Sequence, residues 1–463
     1  MMKKEKMCLL GLLPALTVPM TLPCLAGNNA ELPPNIIVVL TDDMGYGDIG
    51  IYGGKFIPTP NIDRMAEEGS RFNQYYSASP ISSPSRCGLL TGMYPGKWHI
   101  TTYLQGKAGN KAAEMADYLD PSAPTLPKVM KNAGYKTGHF GKWHLGGGRD
   151  VRNAPPFVAY GYDEYCSTYE SPQPDSLLTA TDWIWSPQDS VKRWNRTAYF
   201  VDKTLAFLER HRGEACFVNL WPDDMHTPWV GNFEQQQVFP DGQESEKNFR
   251  VVLAEYDRQI GRLLREIKNM NLENNTIVIF TSDNGPWLVQ RLNGGSAGAL
   301  RQGKSTCWEG GLRVPAVFRM PGRIAPCTQQ GMMATMDILP TFLNMAGIPL
   351  PEGVTLDGMD QTPMLWEQRE SSRDEMYYWR GSHLLAVRKG PWKIHFSTLT
   401  DPYTRHAVWE RPEIPFLYNV EEDFSEQYEV SEKHPEIVKE LVELAEKHKA
   451  EMKIKASVCD FGR

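Results

Sequence analysis

Short apolar runs alternate with amphipathic stretches along this chain, which is typical of a parallel sheet flanked by helices. The clearest run covers residues 36–40, five apolar and mostly β-branched side chains. Residues 216–221 and 276–280 form similar runs, and residues 136–140 form a weaker one. The sequence therefore predicts four buried strands of an α/β fold.

Helical periodicity appears in two longer stretches. Between residues 249 and 270 the apolar side chains recur at three- and four-residue spacing, which predicts a long amphipathic helix. A charged helix is predicted from about 435 to 453. Before it, residues 377–379 and 384–396 resemble strands of a meander, with a turn at Lys389-Gly390-Pro391-Trp392.

These patterns predict an α/β protein with a large mixed, mostly parallel central sheet between helices. A smaller C-terminal α+β subdomain, with a small antiparallel sheet and the terminal helix, follows it. The expected boundaries are 27–365 for the main domain and 366–463 for the subdomain. Residues 1–26 are expected to be a signal peptide.

The signal peptide is indicated by three lysines within the first six residues, followed by an apolar run to Leu22 and small residues up to Ala26. Prolines interrupt this run, which argues against an uncleaved anchor. Cys24 leaves open a cell-surface lipoprotein, although Thr21-Leu22-Pro23 matches a lipobox poorly. No later stretch is long and apolar enough to span a bilayer. We therefore expect an exported, periplasmic protein.

Composition adds two constraints. The net charge of −7 gives no reason to expect a nucleic-acid partner, so attraction for an anionic ligand must come from local cations. The six cysteines beyond the predicted signal form no C-x-x-C pair, which argues against a metal site made of thiolates. Their pairing cannot be read from the sequence.

Polar residues follow each predicted strand. Because the carboxyl ends of strands in open α/β sheets carry ligand sites, we expect these residues to meet at one edge of the sheet. In chain order the clusters are Asp42 with Asp43, Lys142 with His144, Asp223 and Asp224 with His226, and Asp283 with Asn284.

The acidic pair Asp42 and Asp43, together with Asp283 and Asn284, supplies three carboxylates and one amide oxygen. Oxygen ligands of this kind suit Ca²⁺ or Mg²⁺ better than zinc. For Asp42 and Asp43 alone, capping of a following helix is the alternative interpretation. Three carboxylates that follow two strands favour a metal, which would offset their mutual repulsion.

The segment from Ser82 to Gly92 combines a serine, a proline and an arginine at the predicted start of a helix near Pro84. Arg86 lies four residues after Ser82 and could point back toward it. Taken alone, the segment could be a turn leading into a helix. Arg86, Lys142, His144, His226 and Lys304 are the candidate cations that would stabilise a transition state carrying negative charge.

Several motifs resemble those of the type I, formylglycine-dependent sulfatases of the alkaline phosphatase superfamily, and they occur along the chain in the same order as in that family. The chain resembles a bacterial serine-type member of this family, similar to arylsulfatase A-like glycan sulfatases. The matching segments are Ser82-Ser83-Pro84-Ser85-Arg86 with Thr91-Gly92, Thr41-Asp42-Asp43, Gly141-Lys142-Trp143-His144, His226-Thr227-Pro228, Ser282-Asp283-Asn284-Gly285 and Gly303-Lys304.

The resemblance implies an alkaline-phosphatase-like fold in which Ser82 is oxidised to formylglycine (3-oxoalanine) by a serine-type radical-SAM sulfatase-maturating enzyme. It implies that one Ca²⁺ is held by the modified Ser82 with four further ligands, Asp42, Asp43, Asp283 and Asn284. It also implies that Arg86 orients Ser82 and that Lys142, His226 and Lys304 contact sulfate. His226 or Lys304 would protonate the leaving oxygen, and His144 would assist release of sulfate.

The activity expected from this resemblance is that of a sulfuric ester hydrolase acting on sulfated carbohydrates. Two loops, residues 147–186 and 287–299, are expected to set specificity, and four tryptophans are candidates for sugar contacts: Trp98, Trp183, Trp185 and Trp229. A phosphoryl hydrolase of the same superfamily is the alternative enzyme, but it would want a two-zinc site. A non-catalytic protein that binds sulfated glycans is the third hypothesis, if Ser82 is not oxidised.

Overall fold

The computed structural model of the protein describes residues 32–148, 150–181, 183–232, 246–288, 294–402 and 408–452. Its strands are given first, because the candidate site lies at their ends. In chain order the strands are β1 Asn35–Thr41, β2 Ser70–Phe72, β3 Tyr75–Tyr76, β4 Lys136–Gly141, β5 Glu164–Ser167, β6 Cys216–Trp221, β7 Thr276–Ser282, β8 Ala316–Arg319, β9 Cys327–Gln329, β10 Met333–Ala334, β11 Glu375–Arg380, β12 His383–Lys389, β13 Trp392–His395, β14 Thr398–Thr400, β15 Val408–Glu410 and β16 Phe416–Asn419.

The α-helices lie between and after these strands. In chain order they are α1 Pro60–Glu67, α2 Ser82–Thr91, α3 Lys107–Ala112, α4 Leu126–Asn132, α5 Arg196–Arg210, α6 Glu246–Asn269, α7 Glu309–Leu312, α8 Ile338–Met345, α9 Thr362–Glu367 and α10 Pro435–Met452.

The central sheet has eight strands in the order β5-β4-β6-β1-β7-β8-β2-β9. Strands β5, β4, β6, β1 and β7 are mutually parallel, whereas β8 runs antiparallel to both β7 and β2. The predicted large, mixed, mostly parallel sheet is thereby confirmed. The four strands predicted from apolar runs are β1, β4, β6 and β7, and they lie side by side in its middle.

Helices cover both faces of this sheet. Successive residues of a strand point to opposite faces, and accordingly Ile36 and Val38 enter one core while Ile37 and Val39 enter the other. Helices α2, α4 and α8 supply the first core, and α1, α5 and α6 supply the second. A strand buried on both faces needs a continuous apolar run, which is why β1 could be predicted from its sequence.

The second sheet is antiparallel, in the order β11-β12-β13-β16, and α10 packs against it. The predicted meander and terminal helix are therefore confirmed. The core beneath this sheet also contains Tyr76, Ala78 and Met336 from the chain before residue 365. The residues described from Pro33 onward form one compact unit, so the boundary between 365 and 366 stays a prediction.

Some sequence-based expectations fall outside the described residues. The signal segment 1–26, with its lysines and Cys24, lies there, as do Cys459 and residues 289–293 of the second specificity loop. The other five cysteines are free thiols in the structure. Within the part of the chain that is described, no helix has both the length and the apolar character needed to cross a membrane.

Candidate active site

Four neighbouring strand ends bring the predicted polar clusters to one edge of the sheet. The order β4-β6-β1-β7 places the residues after each strand next to those of its neighbour. The register aligns Thr41 with Ser282 and Gly141 with Trp221, so these strands end at the same level. Parallel neighbours with a common end are the reason that residues distant in sequence meet here.

Ser82 is the first residue of α2 and lies at this edge, 2% exposed. Its Oγ donates toward Asp42 Oδ1 at 3.4 Å and Asn284 Oδ1 at 3.3 Å. The helix begins two residues before the predicted start at Pro84. Since the N-terminus of a helix carries partial positive charge, this position favours negative charge on the oxygen of residue 82.

The acidic residues are buried and interlocked. Asp43 has a φ of 62°, unusual for a residue other than glycine, and its backbone N–H donates to Asp283 Oδ1 at 3.1 Å. Asn284 Nδ2 donates to Asp43 Oδ1 at 2.7 Å. This strained turn brings the carboxylates of Asp42, Asp43 and Asp283 close together. Backbone strain of this kind is concentrated at functional sites.

The sequence led us to expect that Arg86 points back toward Ser82, but its hydrogen bonds go to other residues. Its Nε and Nη2 both donate to Asp283 Oδ2, at 3.1 and 2.8 Å, and Nη1 donates to the carbonyl of Lys142 at 3.1 Å. Nη2 also lies 3.3 Å from Asp42 Oδ1, the oxygen that faces Ser82. Arg86 therefore acts on Ser82 through Asp42, because it fixes that carboxylate.

Two lysines and a histidine also surround the acidic residues. Lys142 Nζ donates to Asp42 Oδ2 at 2.8 Å, and Lys304 Nζ donates to Asp43 Oδ1. His226 Nε2 lies 3.6 Å from Asp43 Oδ2, while its Nδ1 contacts the carbonyl of Thr227 at 2.6 Å. That contact favours a proton on Nδ1 and leaves Nε2 directed toward the site. The side chain of His226 is 24% exposed, against 8% for Lys304.

Glu170 is a site residue that sequence reasoning missed. Its Oε2 lies 3.7 Å from Lys142 Nζ, its Oε1 lies 3.6 Å from His144 Nε2, and Tyr169 donates to Oε1 at 2.8 Å. Glu170 follows β5, so the rule that located the other clusters applies to it. The signal was weak because β5 has four residues, Glu-Tyr-Cys-Ser, and no apolar run.

Burial and charge set the protonation of these groups. Burial opposes ionisation of Asp42, but nearby cations, Lys142 first among them, outweigh it and hold its pKa well below the usual range. Burial also disfavours the charged form of His144 and lowers its pKa to about 4. Glu170 is desolvated, yet His144 and Lys142 lower its pKa to about 2. At neutral pH Glu170 is thus an anion beside a neutral imidazole.

The donor set fits a divalent cation. Asp43 Oδ2 is buried and has no hydrogen-bond partner among the described residues. One ligand atom from each of Asp42, Asp43 and His226 lies within 4.8 Å of the others. Asn284 and Asp283 add oxygen donors next to them. His226 was predicted to contact sulfate rather than metal, and the structure brings it to the edge of the acidic cluster.

Other sequence-predicted residues lie away from this cluster or have structural roles. Asp223 pairs with Arg193 at 2.8 Å and Arg196 at 2.9 Å. Of the four candidate tryptophans, Trp229 is buried, Trp98 and Trp185 are half-buried, and Trp183 is 56% exposed. Trp183 is thus the one of the four that offers a large surface to a ligand.

Comparison with known proteins agrees with this architecture. The Sulfatase family model matches residues 34–348, and the model described as C-terminal region of aryl-sulfatase matches residues 371–463. The N-acetylgalactosamine-6-sulfatase of Canis lupus familiaris is 31% identical, over 88% of this chain and 83% of the relative. The N-acetylgalactosamine-6-O-sulfatase of Bacteroides thetaiotaomicron is 30% identical, over 91% and 94%.

A solved sulfatase structure from Bacteroides thetaiotaomicron, described with the metabolism of multiple glycosaminoglycans, is also similar. It superposes with a TM-score of 0.76 at 28% identity, over 90% of this chain and 99% of the other. The chain belongs to the sulfatase family and has its alkaline-phosphatase-like fold. It is a sulfuric ester hydrolase.

Proposed function

We propose that this sulfatase hydrolyses sulfate esters of carbohydrates with a nucleophile derived from Ser82. The observation that carries the proposal is the position of the Ser82 hydroxyl, between Asp42 and Asn284 at the start of a helix. A serine hydroxyl is a weak nucleophile at its ordinary pKa. Oxidised to formylglycine and hydrated, residue 82 would supply a geminal diol that attacks sulfur and later expels sulfate by re-forming the aldehyde.

A bound Ca²⁺ fits the same geometry. Asp42, Asp43, Asp283 and Asn284 would hold it together with the modified residue 82. When bound, it would supply Lewis-acid stabilisation of negative charge on the sulfate oxygens and on the nucleophile. The buried Asp43 Oδ2, without a hydrogen-bond partner among the described residues, supports this assignment.

The chain's own cations would bind and orient the sulfate. The side chains of Lys142 and Lys304 are 4% and 8% exposed, so their charges act in a poorly screened environment. Fixed positive charges stabilise a transition state whose peripheral oxygens carry negative charge. Arg86 would keep Asp42 aligned with residue 82.

His226 is our candidate for the general acid. Its Nε2 faces the site, and its side chain is more exposed than that of Lys304, which suits contact with a leaving oxygen that connects to solvent-exposed sugar. To donate from Nε2 while Nδ1 keeps its proton, His226 would act as an imidazolium, and imidazole is the side chain best suited to gain and lose a proton near neutral pH. His144, neutral and buried, would accept the proton that the second hydroxyl of the diol loses when sulfate leaves the modified residue.

Sulfated N-acetylgalactosamine is the first substrate to test. Relatives along nearly the whole chain are named for its 6-sulfate, and the similar solved structure is described with glycosaminoglycan metabolism. We further propose export to the periplasm and maturation of Ser82 by a serine-type radical-SAM enzyme. Both rest on the sequence, through the predicted signal and the serine at position 82.

The two alternatives differ in what they require. A phosphoryl hydrolase with unmodified Ser82 would require two zinc ions, whereas the described residues contain one candidate metal cluster, Asp42 with Asp43 and His226. A binding protein without turnover would leave Ser82 unoxidised. Neither alternative has an observation in its favour comparable with the set around Ser82.

Peptide mass spectrometry of protein from its native host tests the proposal. Formylglycine at residue 82 lowers the mass of its peptide by two hydrogens, and oxidised protein should release sulfate from 6-sulfated N-acetylgalactosamine. Ser82→Ala, which cannot be oxidised, is the matched control. Unmodified serine at residue 82 in active protein would overturn the proposal that formylglycine is the nucleophile. Oxidised protein that releases sulfate only from non-carbohydrate esters would overturn the proposed substrate class.

A further inference from the structure

A buried arginine outside the acidic cluster fastens the loop that carries His226. Arg193 begins a short 3₁₀ helix directly before α5 and is 1% exposed. The loop it contacts, residues 222–229, follows β6, and we call it the His226 loop. A buried guanidinium needs partners for its charge and for its five N–H donors, so its hydrogen bonds show which segment it holds.

Among the described residues, the Arg193 guanidinium makes four hydrogen bonds, and all of them go to the His226 loop. Nη1 donates to Asp223 Oδ2 and Nη2 donates to the carbonyl of Asp223, both at 2.8 Å. Nη2 also donates to the carbonyl of His226 at 2.7 Å, and Nε donates to the carbonyl of Pro228 at 2.9 Å. One side chain therefore fixes the loop backbone before, at and after His226.

The direction of the His226 ring depends on this backbone. Among the described residues, the hydrogen bond of the ring is between Nδ1 and the carbonyl of Thr227, within the same loop. The backbone N–H of His226 donates to the carbonyl of Asp223 at 3.1 Å, and that carbonyl also accepts from Arg193. Nε2 then lies 3.6 Å from Asp43 Oδ2. Because these hydrogen bonds lie within the loop, a shift of its backbone would carry Nε2 with it.

The two carboxylates of the His226 loop bind the start of α5. Asp223 Oδ2 accepts from Arg193 and from Arg196, and Asp224 Oδ2 accepts from the backbone N–H and the hydroxyl of Thr197 at 3.0 and 2.7 Å. Burial opposes ionisation of Asp223, but Arg196 and Arg193 lower its pKa below the usual value. Asp223 is therefore an anion at neutral pH and a charge partner for Arg193.

Arg196 provides a matched comparison. It is 0% exposed, and its Nη1 donates to the same oxygen, Asp223 Oδ2, at 2.9 Å. Its other hydrogen bonds among the described residues go to groups outside the His226 loop: the carbonyls of Ile184 and Leu178 and the carboxylate of Asp189. The two arginines thus share burial and a carboxylate, and they differ in their contacts with the backbone of residues 226–228.

We propose that Arg193 is a positioning residue of the sulfatase reaction, which holds the His226 loop so that Nε2 of His226 points to the oxygen that leaves sulfur. This inference rests on the proposed function, in which His226 protonates that oxygen. Proton transfer requires a donor within hydrogen-bond distance of its acceptor. A displacement of about 1 Å, caused by a change outside the reacting groups, lowers a rate by about 10²-fold.

The first test measures kcat and KM of Arg193→Lys with a carbohydrate sulfate and with 4-nitrophenyl sulfate. Lysine keeps a positive charge opposite Asp223 but cannot reproduce the forked set of hydrogen bonds. On the carbohydrate sulfate we expect kcat to fall about tenfold to hundredfold with KM within about twofold, because the lost interaction acts in the transition state. On 4-nitrophenyl sulfate, whose leaving group needs no proton, kcat should fall less than about threefold. Mass spectrometry of residue 82 in each variant separates a positioning effect from failed maturation.

Combining Arg193→Lys with His226→Ala shows whether Arg193 acts through His226. In the His226→Ala protein, the second change should cause less than about threefold further loss on the carbohydrate sulfate, because residues that act as a unit are not additive. Arg196→Lys is the matched control. It should also lower the thermal unfolding midpoint, since a buried ion pair is disturbed, but it should leave the ratio of the two kcat values unchanged.

Three kinetic results would each overturn the proposal: equal losses of Arg193→Lys on the two esters, the full loss again in the double variant, or the same change of ratio in Arg196→Lys. If Arg193→Lys does not fold, Arg193→Gln, which keeps two N–H donors, takes its place. Failure of both variants to fold would assign Arg193 to stability alone and would also overturn the proposal.

A measurement without turnover separates this inference from the proposed function. The ring nitrogen resonances of His226, assigned by their loss in His226→Ala, should shift or broaden in Arg193→Lys and stay unchanged in Arg196→Lys. Unchanged resonances in Arg193→Lys would overturn the positioning role. If oxidised, unsubstituted protein released no sulfate from any ester, the proposed function would fail, and these resonances would still decide whether Arg193 holds His226.

Discussion

Glu170 Oε1 lies 3.6 Å from Nε2 of His144, and both side chains are buried. The same carboxylate approaches Lys142 through its other oxygen. One anion thus holds two of the catalytic candidates in place from a strand end that the sequence pattern did not reveal.

Replacing Glu170 with Gln should lower kcat/KM by about tenfold to hundredfold, because small misplacements of catalytic groups are costly. The Glu170 charge works against burial to raise the pKa of His144, so its removal lowers that pKa further. Any limb of the pH–rate profile set by His144 should then move to lower pH. Glu214→Gln, at an exposed carboxylate, is the control; a profile of Glu170→Gln that matches this control would contradict the positioning role.

His226→Ala should reduce desulfation of a carbohydrate sulfate by about 10²–10⁴-fold if His226 is the general acid. The loss should be much smaller with 4-nitrophenyl sulfate, whose leaving group needs no proton. Lys304→Ala, which removes a sulfate contact instead, should lower both activities to a similar extent. Steady-state kinetics with the two substrates decides between these residues, and equal losses for His226→Ala would assign it a different role.

Calcium should raise the thermal unfolding midpoint of the protein, since a ligand that binds only the folded state stabilises it. Asp43→Asn should remove roughly half or more of this shift, because a charged oxygen donor is lost. Asp48→Asn is a suitable comparison: burial raises the pKa of Asp48 to about 8, so the native side chain is already neutral at pH 7. Calorimetry after chelation and after calcium addition measures both, and equal shifts in the two variants would remove Asp43 from the ligand set.

His448 should make stability depend on pH. Burial lowers its pKa from 6.5 to about 4, in a site where it stacks on Tyr377 and accepts a hydrogen bond from Trp379. Between these pH values the unfolded chain binds the proton and the folded one does not. The contribution of neutral His448 to the free energy of unfolding is therefore complete above pH 6.5. It is lost as the pH falls toward 4, by up to about 3 kcal/mol.

Urea unfolding of the protein and of His448→Gln at pH 7.5 and pH 5 checks this dependence. The variant should be less stable at pH 7.5, because the stacking contact is lost. The gap between the two proteins should narrow at pH 5, since only the native histidine has to exclude a proton. A constant gap would show that His448 does not titrate with folding.

Much of the site could be predicted because its parts are encoded locally. Strands β1, β6 and β7 are buried on both faces, so each needs a continuous apolar run, and Asp42, His226 and Asp283 follow those runs closely. Family motifs then assigned chemistry to the same positions. The sequence by itself thus determined the four central strands and the acidic and basic residues that follow them.

The tertiary structure decided which of these residues touch. Strand order made β4, β6, β1 and β7 neighbours, and that pairing brought Arg86 onto Asp283 rather than directly onto Ser82. It also placed Glu170 beside His144, through the short strand β5, which is held by pairing with β4 rather than by an apolar pattern of its own. Side-chain partners depend on contacts between segments far apart in the chain, and such contacts leave no periodic signal in any one segment.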